Sequence, residues 1–263
     1  MTLEVLISCM HQKDTSIVAS SNIQTDVVVV NQCDKEELIE EQRKNLNGEL
    51  FRVRMFNTLE RGLSKSRNMA IRNAESDICL FCDDDVLYKD DYANVVLSAF
   101  EKYPDSDVIL FNIGNLCRKP IRKPTRVNYI SALKVASLQI AFRRKRMLEK
   151  DIFLDESMGS GTGNGGGEEA KLIYDCLRSG LKVFSVPDMI ASVDKNSPSL
   201  WFRGYNPMFL IKKGWATRKI MGRFWGVFYA TSFAIRKYKE YKNDCSFIQA
   251  FWCLMNGVLW HKV

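Results

Sequence analysis

Residues 78–85 read Ile78-Cys79-Leu80-Phe81-Cys82-Asp83-Asp84-Asp85, five apolar side chains running straight into three carboxylates. An apolar run this short suits a strand covered on both faces, and it places the aspartates at the strand's carboxyl end. Three adjacent carboxylates repel one another, so a fold gathers them where positive charge neutralises them. At the end of a buried strand a divalent cation carrying phosphates meets that need, and hard oxygen ligands suit Mg²⁺ or Mn²⁺. The competing reading is a solvated acidic turn that caps a helix.

The neighbouring sequence favours the first reading. Residues 3–9 (LEVLISC), 26–30 (DVVVV) and 51–56 are further short, β-rich runs, and 77–82 is the fourth strand. Asp34 and Glu37 have the spacing of a capping box, and Leu38, Ile39 and Leu46 form a rough helical stripe, so a helix is expected to open at Asp34. Helices at about 64–74 and 90–102 and a strand at 107–112 continue the alternation. Strands alternating with helices predict an α/β domain with a mainly parallel sheet. Ligands collect at the carboxyl ends of such strands. That edge would carry His11, residues 31–34 and 57–65, and the aspartates; His11 reads as a pocket wall rather than a ligand.

The second half is less regular. Residues 114–127 are basic, with Pro120 and Pro124, and read as a loop; 137–142 is strand-like and 143–150 a short basic helix. Residues 159–167 (GSGTGNGGG) hold six glycines in nine positions, too many for a regular element. Glu168-Glu169 follow, then a helix over 170–178 ended by Gly180, and a strand over 182–186 that stops at Pro187.

Four of these stretches together resemble family-2 glycosyltransferases of the GT-A fold, over roughly residues 3–200. They are the strand pair with polar ends, Arg61-Gly62-Leu63-Ser64 with Arg67-Asn68, the aspartate triplet, and Gly166-Gly167-Glu168-Glu169. Their order and spacing carry the resemblance, including the sixteen-residue step from Arg67 to Asp83. It implies a nucleotide-diphospho-sugar transferase fold and a metal-dependent inverting transfer from a nucleotide-sugar, UDP-linked, to a hydroxyl of a lipid-linked or polysaccharide acceptor. Asp83 and Asp85 match the acidic positions of the family's D-x-D motif, with Asp85 the direct metal ligand and Asp83 a ribose or metal contact. Asp84 is the middle residue of that motif. Arg61, Gly62 and Arg67 match the nucleotide-side loop and helix start, where unpaired N–H groups of a first turn favour anions; Arg67 equally suits a structural ion pair with Asp83. Glu168-Glu169 match the acidic pair that ends in the catalytic base, where the family usually has Glu-Asp, so the base stays open between them. Asp34 stands where relatives contact the nucleotide base, besides its capping role. Asp194 stands where many relatives place a metal-binding histidine.

Composition divides the chain. Residues 201–263 hold eleven Lys/Arg against Glu240 and Asp244, all five tryptophans and sixteen of the twenty-nine aromatic residues. The expected organisation is a catalytic domain over 1–200, its nucleotide-sugar half about 1–113 and its acceptor half about 114–200, followed by a basic aromatic helical tail. Residues 224–235 and 247–260 are too short to span a bilayer, and their basic flanks suggest helices lying on an anionic membrane surface. A protein interface and a helical cap on the core are the other readings of the tail. With no secretory signal and no C-x-x-C pair, the eight cysteines are expected reduced and buried in a cytoplasmic enzyme, peripheral on the inner face of the membrane. His11 and His261 are too few and too isolated for a zinc site, and no nucleic-acid recognition motif is present. The glycine-rich, arginine-containing N-terminal loop of nucleotidyltransferases is absent from residues 9–16 (CMHQKDTS). A noncatalytic glycan- or membrane-binding module on the same scaffold is the alternative of another class.

Overall fold

The computed structural model describes residues 1–116, 120–164, 166–193 and 204–260. In chain order the elements are β1 (Leu3–Met10), α1 (Ser16–Ser20), β2 (Asp26–Gln32), β3 (Glu37–Lys44), β4 (Leu50–Thr58), α2 (Leu63–Asn73), β5 (Ile78–Cys82), β6 (Val86–Tyr88) and α3 (Tyr92–Lys102). The second half contains β7 (Val108–Gly114), β8 (Thr125–Arg126), α4 (Tyr129–Ala132), a 3₁₀ turn (Ser137–Gln139), β9 (Ile140–Arg143), α5 (Arg144–Glu149), α6 (Glu168–Arg178) and β10 (Val183–Val193). Two tail helices follow, α7 (Pro207–Tyr241) and α8 (Phe247–Leu259).

One sheet organises the molecule, in the order β3-β4-β2-β1-β5-β9-β7-β10-β6, with β8 beside β10. Its first half is the parallel set β4-β2-β1-β5, and β7 and β10 form a second parallel pair. β9 runs antiparallel between β5 and β7 and joins the two halves. The apolar strands are continuous because both faces are covered. Val5 and Ile7 face one core and Leu6 the other; Val27 and Val29 oppose Val28 and Val30; Ile78, Leu80 and Cys82 oppose Cys79 and Phe81. Cys9, Cys79 and Cys82 are buried and unpaired, as expected of small apolar side chains.

The helix expected at Asp34 does not form. Residues Glu37–Lys44 are β3, an antiparallel edge strand on β4. Leu38 and Leu46 of the supposed stripe are exposed, and only Ile39 packs on the core. Charged side chains along this edge (Glu37, Glu40, Glu41, Arg43, Lys44) discourage pairing with another chain. The hairpin turn is held by the Asn45 side chain, which accepts from the amides of Asn47 and Glu49, and by Gly48 at φ 82°. β10 runs past Pro187, which sits in an irregular stretch of its pairing with β7; a proline is tolerated where the ladder is already broken.

α7 breaks at Gly222 (φ 79°, ψ 174°), so its arms 207–221 and 223–241 are separate helices. From the first arm Trp215, Ala216, Ile220 and Met221 join the apolar cluster that includes α2 and α6. α8 crosses that arm at backbone distance. A Cβ on Gly214 would lie 2.1 Å from the Leu254 carbonyl oxygen, and one on Gly257 would lie 2.0 Å from the Ile211 carbonyl oxygen. The second arm leaves Phe224, Trp225 and Phe228 exposed and in mutual ring contact. Among the described residues no helix is long and apolar enough to cross a membrane.

Candidate active site

The carboxyl ends of β1, β2, β4 and β5 meet as the alternation requires. Asn31 at the end of β2 donates to the Asn57 side chain at 2.7 Å, and its side chain bonds the Gln12 backbone at 2.9 Å. The Gly62 amide donates to Gln32 Oε1 at 2.7 Å. His11 is exposed just past β1, at φ 54°. Asp34 is 87 % exposed and accepts from Arg61 Nη2 at 2.6 Å, while Arg61 Nη1 holds the carbonyls of Thr58 and Leu59. Without the capping box, Asp34 and Arg61 form an ion pair on the rim of this edge.

The glycine-rich loop folds over the start of α2. The Leu63 amide donates to the Ser160 carbonyl and the Ser64 hydroxyl to the Met158 carbonyl, and Gly161 lies against Gly62. The Gly62 and Leu63 amides are therefore used within the protein. Glycine is required at the contact itself: a Cβ on Gly161 would sit 3.2 Å from the Gly62 Cα, and Gly161 has φ 84°.

Arg67 is the centre of the site. Its side chain is 1 % exposed and lies under the triplet, with Nη2 donating to Asp83 Oδ1 at 2.7 Å. Nη1 lies 3.4 Å from Glu169 Oε1 and 3.9 Å from Glu168 Oε1. Ser137, on the turn before β9, donates to Asp83 Oδ2 at 3.4 Å. The triplet and the acidic pair, about 85 positions apart in sequence, thus meet on one buried guanidinium. Burial opposes the Arg67 charge, but Asp83 and Glu169 outweigh it and raise its pKa. Three carboxylates on one cation leave negative charge uncompensated, and the Arg67 Nε is buried without a partner among the described residues.

The triplet lies in the turn between β5 and β6, not on the strand itself. Asp83 and Asp85 are half-buried and Asp84 is exposed, with its pKa raised by desolvation and the Asp83 charge. Glu168 and Glu169 begin α6, two residues earlier than expected, where the helix dipole favours carboxylates. Their surroundings differ. Glu168 is buried, its Oε2 accepting from the Gly167 amide at 2.8 Å and its Oε1 beside Gly159. Glu169 lines a cavity of ≈ 190 Å³ between α6, α7 and residues 133–135. Desolvation and the Glu168 charge push the Glu169 carboxyl up to about 7 against the pull of Arg67. Asp194 lies outside the described residues.

Among the described residues no three His, Cys, Asp or Glu side chains gather as a metal cage. Mg²⁺ and Mn²⁺ bound with a diphosphate need only one or two carboxylates, since phosphate oxygens complete the shell. The acidic excess around Arg67 and the hard oxygen donors of the turn fit that use. Sequence reading missed Ser137 and the tail residues Lys213 and Thr217 that line the Glu169 cavity. No local motif marks any of them; only the tertiary fold does.

The chain is similar to known proteins in family and fold. The model of the glycosyl transferase family 2 matches residues 5–161. An uncharacterized glycosyltransferase of Haemophilus influenzae is 28 % identical over 94 residues, covering 36 % of this chain and 31 % of that relative. The chain thus spans about a third of the length of the curated relative it matches. Crystal structures of S. aureus TarS 1–349 superpose on 98 % of this chain. The one in complex with UDP-GlcNAc has a TM-score of 0.66 at 16 % identity over 82 % of its own length. Another structure of TarS 1–349 gives a TM-score of 0.63 at 15 % identity over 81 % of its length. At that identity the likeness shows the fold, the GT-A architecture expected from the motifs. The family match extends over more than half of the sequence and contains both Arg67 and the aspartate triplet: the chain belongs to glycosyl transferase family 2.

Proposed function

We propose that this chain transfers a sugar from a nucleotide diphosphate, UDP-linked, to a hydroxyl of a lipid-linked or polysaccharide acceptor, with inversion at the anomeric carbon. The observation that carries the reading is the convergence of Asp83, Glu168 and Glu169 on Arg67, which brings the donor-side and acceptor-side motifs to one point. The UDP-GlcNAc complex of a protein sharing this fold supports the donor class.

In this reading Glu169 is the general base. It lines the cavity, whereas Glu168 is buried against the Gly167 amide. A carboxyl near 7 is matched to accepting a proton at neutral pH. Glu169 takes the acceptor hydroxyl's proton as that oxygen forms its bond to the anomeric carbon. The bond from that carbon to the diphosphate oxygen breaks, and its electron pair leaves with the diphosphate. Asp85 and Asp83 would hold Mn²⁺ or Mg²⁺ with the diphosphate, and Asp194 is a third candidate ligand. Bound there, the cation would offset charge developing on the leaving group. Arg67 positions Asp83 and Glu169; Asp34, Arg61, Gly62 and Asp84 form the nucleotide side.

The organisation proposed is a catalytic domain over 1–200, with halves at about 1–113 and 114–200, and a tail over 201–263 that rests on an anionic membrane surface. Support for the membrane contact is the exposed Phe224, Trp225 and Phe228 trio beside Arg223, in a tail of net charge +9. The location proposed with it is the cytoplasmic face of the membrane.

The decisive experiment measures release of nucleoside diphosphate from a panel of nucleotide-sugars, alongside calorimetry with UDP and Mn²⁺. Metal-linked UDP binding and turnover are expected, and Asp85→Ala should lose both the metal linkage and transfer. Absence of nucleotide binding would favour the noncatalytic scaffold instead.

A further inference from the structure

The cavity beside Glu169 has a chemical character of its own. Leu133, Val135, Ile220 and Met221 make its walls apolar, while Lys213, Thr217 and Tyr229 of α7 are the polar residues that line it with Glu169. At ≈ 190 Å³ it is too small for a nucleotide-sugar, since sites for drug-sized ligands run to about 300 Å³ or more. It is sized for one substituent group.

Lys213 is the unusual member. It is half-buried, and among the described residues no carboxylate lies within ion-pairing distance of it. Its one described side-chain partner is the Phe233 ring, 5.9 Å from Nζ, a weak contact for a cation. Lys219 on the same helix shows the ordinary arrangement, paired with Asp155 at 2.8 Å. Burial lowers the Lys213 pKa with no charge partner acting against it. A desolvated cation without an anion is costly, and charges taken out of water are normally paired. Glu169 does not serve: its ion-pair partner is Arg67. The Thr217 hydroxyl donates to the Lys213 carbonyl at 2.8 Å, which leaves Lys213 and Tyr229 as the polar lining residues whose side-chain donors make no described hydrogen bond.

We propose that Lys213, with Tyr229, forms an acceptor subsite for an anionic group, a phosphate or a carboxylate, carried next to the hydroxyl that Glu169 deprotonates. The inference rests on the transferase reading and narrows it to acidic acceptors. It also gives the basic tail a role in acceptor selection, since Lys213 belongs to α7.

The test uses the full chain and three probes on one framework: methyl β-glucoside, its 6-phosphate and methyl β-glucuronide. The acidic probes are expected to bind at least about tenfold more tightly than the neutral one by calorimetry, and to protect Lys213 from acetylation read by mass spectrometry. The phosphate and uronate arms show which anion is preferred. Lys213→Gln should erase the preference and Lys213→Arg should keep it. Should Lys213→Gln fail to fold, the protection pattern of the wild-type chain decides. The proposal is overturned if acidic and neutral probes behave alike, or if Lys213→Gln keeps the preference. UDP with Mn²⁺ is titrated separately: its failure would fall on the donor reading and leave the anion result standing.

Discussion

Glu169→Gln should separate the chemistry of this site from its stability. In the folded chain, desolvation and Glu168 raise the Glu169 carboxyl from 4.5 to about 7, a gap of roughly 3 kcal/mol at about 1.4 kcal/mol per unit. The direction follows from proton binding. Below the unfolded value both states hold the proton and the residue costs nothing. As pH rises towards the folded value, the unfolded chain ionises while the folded one resists, so stability is lost, and above it the full cost is present. Glutamine keeps the shape and never ionises. Wild type and Glu169→Gln should therefore unfold alike below about pH 4, and the variant should be more stable by up to roughly 3 kcal/mol above about pH 8. In a chain of this size that is roughly 6–12 °C in melting temperature. Urea unfolding of both proteins at the two pH values gives the double difference, in which every titration common to both cancels. A difference independent of pH would refute the reasoning. In the same preparations, donor binding should survive and turnover should fall, whereas loss of turnover in Glu168→Gln alone would transfer the base to Glu168.

Arg67→Met leaves Asp83, Glu168 and Glu169 without their shared cation, and should cost about 3–5 kcal/mol, the range for breaking a buried ion pair; an unchanged unfolding midpoint would count against its central place. Gly257→Ala drives a methyl into the Ile211 carbonyl, 2.0 Å away, and overpacking of this kind costs about 1–3 kcal/mol or more. Limited proteolysis should then cut within 204–260 first, and an unaltered pattern would show that the helices can shift apart without loss. Replacing Phe224, Trp225 and Phe228 together by serine should abolish flotation on anionic vesicles and leave melting temperature nearly unchanged. Equal flotation would remove the membrane contact.

The parallel core was readable because its strands are buried on both faces, which leaves nothing but Val, Ile, Leu, Phe and Cys at 27–30 and 78–82. β3 was misread because an edge strand covered with charge carries almost no hydrophobic period. Leu38 and Leu46 imitate a helical stripe while facing water, and the hairpin is marked only by the Asn47-Gly48 pair. Pro187 reads as a strand end, yet the pairing there is already irregular and the strand continues. At the site, Arg67, the aspartates and the two glutamates could be named from motif order, but not which glutamate lines a cavity. That distinction arises from α7, whose packing on α6 has no local signature in either segment. Ser137 and Lys213 escaped for the same reason.

The crossing of α7 and α8 fixes more than the two helices. Gly214 and Gly257 each meet the partner helix at a carbonyl oxygen, so the spacing is set by main chain, which is identical whatever side chains surround it. Lys213 immediately precedes Gly214, and its place beside the cavity is anchored by that contact rather than by the aromatic residues of the outer surface. Outer surface and cavity are thereby free to diverge: substitutions at the exposed Trp225, Phe228 or Trp252 can alter the aromatic surface without displacing Lys213. A change at either glycine would move both at once.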